Sequence, residues 1–326
     1  MADNEVSGCK AVTVRREADP GLPALVADAG PAAGFAWEEF FEGELANPHT
    51  RLAYERAARR FLGWCRERRL DLARVSPAHV GRYFAEHRGS VPTKKQHLAA
   101  VRRLFDRLVV RHAVVLNPAL SVRAERYSVV EGKTPEITVP QSRRLLAAID
   151  TSNVVGLRDR AVVGVLVYTA ARVGAVAQLS LGDLRHDGTQ WGLRLTEKGG
   201  KFRDIPVRHD LEGYLFSYLA AAGVEAGRGS EPLFRAAAGR TRQLTVRGVT
   251  AADLCRAVKR RLRDAGLPNH LSPHSFRVAA ITDLLTQGVP FDEVQYLAGH
   301  ADPRTTRLYD RRRRRVTRSV VERISV

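Results

Sequence analysis

Residues 191–207, WGLRLTEKGGKFRDIPV, carry the strand pattern that separates this chain from an all-helical protein. Trp191, Leu193 and Leu195 alternate with polar residues, a Lys-Gly-Gly-Lys turn follows, and Ile205 resumes the alternation. Apolar residues with a period of two on both sides of a glycine turn predict an antiparallel β-hairpin. The fold is therefore predicted to be mainly α with a small antiparallel β-sheet.

Upstream of the hairpin, apolar residues recur at a spacing of three to four, which predicts amphipathic helices. The predicted helices span residues 35–46, 49–69, 77–88 and 92–112. Together they form an all-helical first domain over residues 35–120, in which Asn117-Pro118 ends the last helix. Basic residues on the polar faces predict that one side of this domain is positively charged. These residues are Lys94, Lys95, Arg102, Arg103 and Arg107.

The remaining boundaries follow from composition. Residues 1–34 are rich in Ala, Gly, Pro and Asp and are predicted to form a flexible extension. Residues 121–135 show little periodicity and are predicted to be a linker. Residues 136–326 form the second domain, mostly helical around the hairpin. Its apolar stretch over 161–170 is about half the ~20 residues needed to span a bilayer, so it is predicted to be a core helix.

The charge balance points to a polyanionic partner. The chain has 326 residues, a net charge of +18 and a pI near 10.6, which favours nucleic acid or an acidic membrane face. Its three cysteines show no C-x-x-C spacing, so neither a zinc site nor a disulfide framework is predicted. The N-terminus is unlike a signal peptide. These features predict a cytoplasmic, nucleoid-associated protein.

The segment LAGHADPRTTRLYDRRRRR, residues 297–315, contains the most suggestive single residue, Tyr309. Asp302-Pro303 is a helix-start pattern, so a short helix over Pro303–Asp310 is predicted to carry this tyrosine. Tyrosine has a pKa of about 10 and is a poor nucleophile unless cations lower that pKa or a base takes its proton. His300, nine residues upstream, and the surrounding arginines are candidates for those roles.

In LSPHSFR, Ser272 followed by Pro273 predicts the start of a helix. The spacing of three then puts His274 and Arg277 on one face close to the helix N-terminus, where anions bind readily. The segment fits a phosphate site, and it also fits an ordinary capped helix with an incidental polar pair.

Two further basic residues are ambiguous when taken singly. Arg172, which follows the apolar helix, fits a surface arginine whose stem lies along the core. Lys198, in the hairpin turn, fits an exposed turn lysine. Together with the histidines and Tyr309, however, they suit attack on a phosphodiester. Arginine forks neutralise the charge on the non-bridging oxygens, and a mobile lysine protonates the leaving alkoxide. No metal and no nucleotide cofactor is predicted.

The order Arg172, Lys198, HSFR, LAGH and TTRLY resembles that of the tyrosine recombinase (phage integrase) family. The resemblance covers about residues 35–320, with twenty-three residues from Arg277 to His300 and nine more to Tyr309. It implies a SAM-like four-helix core-binding domain, followed by an α+β tyrosine-recombinase catalytic domain. It also implies the simple two-domain type found in Xer-like and transposon integrases.

The resemblance implies a role for each residue. Arg172 and Arg277 would clamp the scissile phosphate, with support from His300. His274 would act as general base, and Lys198 would protonate the 5′-hydroxyl leaving group.

Tyr309 would become joined to the 3′-phosphate in a covalent intermediate. The implied partners are double-stranded DNA, held in a C-shaped clamp, and three further copies of the chain in a tetramer on synapsed DNA. Without DNA a monomer or weak oligomer is expected, and no membrane is involved. The predicted DNA-binding residues are Lys94, Lys95, Arg102, Arg103, Lys201, Arg203, Arg304 and Arg307.

Alternatives remain open at this point. Ala175 stands where many family members carry an acidic residue that orients the first arginine, which favours a catalytically weakened DNA-binding relative. A type IB topoisomerase-like enzyme would use similar chemistry. The tail beyond Arg311 fits a helix that docks on a neighbouring copy, a solvated basic tail, or arginines that contact DNA phosphates.

Overall fold

The computed structural model describes residues 21–127, 132, 134–196, 200–227, 229–309 and 322. The chain divides into two compact units, Met1–Ser128 and Val129–Val326. The division falls inside the segment predicted as a linker, residues 121–135. As predicted, the architecture is mainly α-helical with small antiparallel sheets. Across the described ranges, no helix is both long enough and apolar enough to pass through a membrane.

The first unit is helical. Its described helices are α1 (Ala24–Asp28), α2 (Pro31–Glu38), α3 (Pro48–Glu67), α4 (Pro77–Glu86) and α5 (Val91–Val110). A π-helical segment over Glu39–Glu44 continues directly from α2. The start of α3 follows the sequence, because Asn47 Oδ1 accepts the backbone N–H of His49 at 2.9 Å and Pro48 occupies the first helical position.

The predicted flexible extension over residues 1–34 is wrong for the part from Ala24 onward. Leu25 and Val26 of α1 are buried in the same core as Phe61. The connection between α1 and α2 uses Gly30 at φ 95°, a conformation that suits glycine, and Pro31 then opens α2. Glycine and proline therefore build a tight helix–helix turn here. Residues 1–20 lie outside the described residues.

The second unit contains helices and two small sheets. Its described helices are α6 (Val139–Ala148), α7 (Val154–Thr169), α8 (Val173–Ala177), α9 (His209–Ala222), α10 (Ala251–Asp264), α11 (Pro273–Thr286), α12 (Phe291–Ala298) and α13 (Pro303–Arg307). Its described strands are β1 (Leu184–His186), β2 (Trp191–Thr196), β3 (Phe202–Pro206), β4 (Arg235–Ala237) and β5 (Leu244–Gly248). The order in the larger sheet is β1-β2-β3, and β4 pairs with β5.

The predicted hairpin is confirmed as the antiparallel pair β2–β3. Leu193 lies opposite Ile205, and Leu195 lies opposite Arg203. Leu193, Leu195 and Ile205 are buried, so the alternation seen in the sequence marks the face that packs on the core. The predicted turn lysine, Lys198, lies outside the described residues.

Three features of the second unit differ from the sequence prediction. The β4–β5 pair occupies a stretch predicted as helical, and β1 was not predicted, because strands of three to five residues are too short to show clear alternation. Helix α13 ends at Arg307, before the predicted end at Asp310. Tyr309 therefore lies in a tight turn after the helix, where its N–H donates to Thr306 O at 3.0 Å.

Helix α7 is the central element of the second unit. It begins at Val154, earlier than predicted, because Asn153 Oδ1 accepts the Gly156 N–H at 3.0 Å. It is buried on most of its surface and packs on α9 and α11. Ala170, directly after it, has φ 50° and ψ 25°. This left-handed residue turns the chain sharply into α8, which starts beside Arg172.

Candidate active site

Tyr309 lies against the first turn of α11. Its Oη is 2.8 Å from Nε2 of His274. The backbone of this tyrosine is fixed separately, since Thr282 Oγ1 donates to its carbonyl at 2.9 Å. On one side its ring stacks on His300, with centroids 5.1 Å apart. The phenol is thus held between two imidazoles.

The first turn of α11 positions His274 and Arg277 as the sequence predicts. Pro273 opens the helix, and the Ser272 N–H donates to Ser275 Oγ at 3.1 Å. Arg277 is 1% exposed, and its guanidinium donates to the carbonyls of Ala170 and Ala298. Two backbone carbonyls therefore fix the orientation of this buried cation. Its Cζ lies 5.9 Å from the Tyr309 ring centroid.

His300 enters the site from the end of α12. Gly299, at φ 62°, ends that helix and turns the chain inward. His300 is 6% exposed, and its Nδ1 lies 2.9 Å from the buried Thr306 Oγ1. Its pKa is lowered to about 3, mainly by burial, with the positive charges of Arg277 and Arg172 acting in the same direction. The ring is therefore neutral at physiological pH.

The other nitrogen of His300 is available to a ligand. Within the part of the chain that the structure describes, its Nε2 is buried and has no hydrogen-bond partner. If Thr306 donates to Nδ1, the ring proton is on Nε2, which is then a hydrogen-bond donor pointing into a basic environment. A buried donor of this kind suits a phosphate oxygen.

Arg172 precedes α8 and acts on both histidines. Desolvation is the largest cause of the lowered pKa of His274, and the positive charges of Arg277 and Arg172 lower it further. His274 is an exposed residue, yet partial burial of its ring and the neighbouring positive charges still lower its pKa. A neutral His274 ring can take the phenolic proton through Nε2. Ala175, one turn after Arg172, is buried and offers no polar group.

Arg203 is placed differently from the prediction. It was predicted to be a DNA-binding residue, but it is 4% exposed and donates to Thr169 O at 3.3 Å. Its charge also helps to lower the pKa of His300. The reason is its position on β3, two residues before Ile205, because residues two apart on a strand share a face and Ile205 lies on the buried one. The period of two could have shown this from the sequence. Thr306 lies inside the TTRLY motif but was assigned no role there, and no pattern marked Thr282.

The other predicted DNA-binding residues are distributed over both units. Lys94 pairs with Glu125 at 3.0 Å, Arg102 Nε donates to Ala119 O at 3.0 Å, and Arg103 pairs with Glu44 at 3.4 Å. Those three side chains are engaged within the first unit, and Lys95 beside them is partly exposed. In the second unit Lys201, Arg304 and Arg307 are exposed, and Arg304 pairs with Asp302 at 2.8 Å.

The structure thus brings together five of the six predicted catalytic residues, and Lys198 lies outside the described residues. The five are Arg172, His274, Arg277, His300 and Tyr309. A phenol that is hydrogen-bonded to an imidazole, with a fixed guanidinium beside it, is chemically suited to attack on a phosphate.

Comparison with known proteins gives the family. The chain belongs to the phage integrase family, whose model matches residues 136–315, more than half of its length. The model of the phage integrase N-terminal SAM-like domain matches residues 37–112. The chain is a site-specific recombinase.

Several relatives are similar over most of their length. The tyrosine recombinase XerC of Rhodospirillum centenum is 30% identical over 313 residues, which cover 89% of this chain and 86% of that protein. XerD of Pseudomonas putida is 29% identical, with coverage of 80% and 86%. XerC of Pelobacter propionicus is 28% identical, with coverage of 81% and 84%.

Solved structures share the fold. XerH bound to palindromic difH substrate, in a post-cleavage complex, superposes with a TM-score of 0.66 at 19% identity, covering 91% of this chain and 85% of that one. A lambda integrase (75–356) dimer bound to a COC′ core site gives a TM-score of 0.63 at 18% identity, with coverage of 87% and 98%.

Proposed function

We propose that this recombinase cuts duplex DNA by attack of Tyr309 Oη on a backbone phosphorus. The Oη–P bond forms as the P–O5′ bond breaks, which leaves a 3′-phosphotyrosine and a free 5′-hydroxyl. Attack by the 5′-hydroxyl of another strand reverses the step and rejoins the DNA. The phosphodiester energy is kept in the covalent bond, so the exchange needs no nucleotide.

The contact between Tyr309 Oη and His274 Nε2, at 2.8 Å, carries this proposal. It supports transfer of the phenolic proton to His274 as the phosphorus is attacked. The lowered pKa of His274 favours the neutral ring, which is the form that accepts a proton. The stacked His300 restricts the phenol to an orientation beside the arginines.

The two arginines would stabilise the charge that develops on the non-bridging oxygens. Arg277 is held by two backbone carbonyls, so its remaining N–H groups have a fixed direction. Arg172 approaches the same histidines from the start of α8. We assign His300 Nε2 as a third donor to the phosphate. Preorganised donors of this kind typically contribute ~10²–10³ each in rate.

Lys198 is proposed as the acid that protonates the 5′-oxygen. Lys198→Ala should slow cleavage of ordinary DNA, because an alkoxide is a poor leaving group. A bridging 5′-phosphorothioate leaves as a thiolate, which needs no proton, so the same variant should cleave that substrate at nearly the wild-type rate. Slow cleavage of both substrates would contradict the assignment.

The proposed partners are double-stranded DNA and further copies of the chain. The net charge of +18 supports DNA binding. The solved relatives include a lambda integrase tetramer bound to a Holliday junction, and by likeness we propose a tetramer on two synapsed sites. We propose that the seven predicted DNA-binding residues other than Arg203 contact phosphates. We also propose that the protein acts in the cytoplasm on the nucleoid.

The test begins with selection of bound duplexes from a random pool, which yields a binding site. A duplex of that sequence with a nick next to the scissile phosphate traps the covalent complex. Cleavage releases the short fragment that carries the free 5′-hydroxyl, and once this fragment diffuses away it cannot reverse the reaction. Wild-type protein and Tyr296→Phe, which alters an exposed tyrosine on α12, should both form the adduct. Tyr309→Phe should not.

Three further outcomes separate the alternatives. Exchange between two marked sites indicates a recombinase, whereas relaxation of a supercoiled plasmid without exchange indicates a topoisomerase. Binding without any adduct by the wild-type protein would overturn the enzymatic assignment and support a DNA-binding relative that has lost the reaction.

A further inference from the structure

Arg203 is a buried cation that the chemistry above does not use. It lies on β3 with 4% of its surface exposed, although the strand is at the edge of its sheet. Burying a guanidinium is unfavourable unless its N–H groups are hydrogen-bonded. One of them donates to Thr169 O at 3.3 Å, thirty-four residues away in the chain. The contact joins the sheet to the end of α7.

The acceptor belongs to the turn that leads into Arg172. Thr169 Oγ1 donates to Val165 O at 2.7 Å and accepts the Ala171 N–H at 3.3 Å. Ala170, between them, has a left-handed conformation that is unfavourable for a residue with a side chain. The turn is thus held in a conformation that its own sequence does not favour.

The two carbonyls at this turn each accept from a buried arginine. Thr169 O accepts from Arg203, and Ala170 O accepts from Arg277. These two hydrogen bonds fix the backbone of the turn from β3 and from α11. Only Ala171 separates the turn's second carbonyl from Arg172. Ala175 has no group with which to orient Arg172 from α8. The path of the chain through this turn therefore sets where the backbone of Arg172 lies.

We propose that Arg203 is a positioning residue that fixes the turn over residues 169–171, so that Arg172 is held in place to clamp the scissile phosphate. The proposal rests on the function proposed above. Arg203 acts through Arg172 and contacts no DNA. Its charge acts on His300, which supports this placement inside the site.

The experiment measures single-turnover cleavage of the nicked duplex and, separately, the Kd for DNA. Arg203→Gln should slow cleavage roughly 10- to 100-fold, because small displacements of a catalytic group have effects of that size. The Kd should change less than about threefold. Arg203→Lys keeps the charge and one donor, and it should recover part of the rate. Arg194→Gln is the matched control, since Arg194 lies on β2 and pairs with Asp204 on the exposed face at 2.9 Å.

A double-mutant cycle identifies the route of the effect. If Arg203 acts through Arg172, then Arg203→Gln should cause little further loss in an Arg172→Ala background. Fully additive losses, or a cleavage rate unchanged by Arg203→Gln, would overturn the inference. A parallel loss in Arg194→Gln would also overturn it, because that result indicates damage to the hairpin. Failure of the wild-type protein to form any adduct would instead contradict the proposed function.

Discussion

Two clusters in this chain each combine one tyrosine with two histidines, and their surroundings differ. The core cluster, in the first unit, consists of Tyr83, His87 and His97. The site cluster, in the second unit, consists of Tyr309, His274 and His300. Their difference shows which features make such a group reactive.

The core cluster is closed. The Gly89 N–H donates to His87 Nδ1 at 2.9 Å, so the His87 proton is on Nε2, 3.2 Å from His97 Nδ1. Tyr83 is 3% exposed, and burial raises its pKa to about 12. Arg60 is an exposed cation that acts on the cluster from outside. These bonds suit a structural group that stays neutral.

The site cluster has buried cations and an accessible phenol. Arg277 and Arg203 are buried near His300, and Arg172 acts on both of its histidines. Tyr309 is only partly buried, and its Oη contacts an imidazole nitrogen at 2.8 Å. The fixed positive charges and the open side of the phenol distinguish this cluster, since the residue types are the same in both.

The largest difference in cleavage rate is expected between variants of the two tyrosines. Tyr309→Phe removes the proposed nucleophile and should reduce cleavage to background. Tyr83→Phe removes one hydrogen bond, to His97, at a cost of about 1 kcal/mol in unfolding free energy, and should cleave normally. Cleavage of a nicked duplex and chemical denaturation measure the two effects. Loss of cleavage in a folded Tyr83→Phe protein would remove the distinction.

The next largest difference in cleavage rate is expected between variants of Arg172, at the site cluster, and Arg60, at the core cluster. Arg172→Gln should lower the single-turnover cleavage rate by ~10²–10³, because it removes one fixed donor to the phosphate. Arg60→Gln should leave the rate within about twofold, since no phosphate is proposed at the core cluster. Equal losses in both variants would indicate that the two charges act through overall DNA attraction. A titration at raised salt checks that alternative, because such attraction weakens with salt.

The histidines should show a smaller contrast of the same kind. His274→Gln should slow cleavage about 10²-fold through loss of the general base. His97→Gln should affect stability and leave the cleavage rate close to that of the wild type. Because the pKa of His274 is lowered, the wild-type rate should hold its plateau to a pH below that expected of an ordinary histidine. A rate that already falls above pH 6.5 would contradict the role of His274.

The smallest effect concerns stability. Burial lowers the pKa of His97 to about 4, below the value of 6.5 for an exposed histidine. The unfolded chain therefore binds a proton first, and this contribution is complete above pH 6.5 and is lost as the pH falls toward 4. Allowing for partial exposure, we expect a loss of about 1 kcal/mol at pH 5. His97→Gln should reduce the dependence of the first unit's stability on pH. Hydrogen exchange, followed in peptides from the first unit, measures that stability.

Sequence patterns predicted features that depend on local spacing. The alternation around Leu193 and Ile205 predicted the hairpin, and Ser272-Pro273 predicted the start of α11. Features that depend on tertiary contacts were not predictable in this way. The packing of α1 rests on Leu25 and Val26 reaching a core formed by later helices. The contact between His300 and Thr306 depends on the geometry of a turn, and residue spacing in the sequence does not specify that geometry.

Attack by Tyr309 can be tested by identifying the residue to which the DNA is joined after cleavage. The trapped complex can be digested with protease and nuclease, and the modified peptide can be identified by mass spectrometry. We expect a nucleotide bound through phosphate to the peptide that contains Tyr309. A nucleotide on Tyr83, on Tyr296 or on any serine would contradict it.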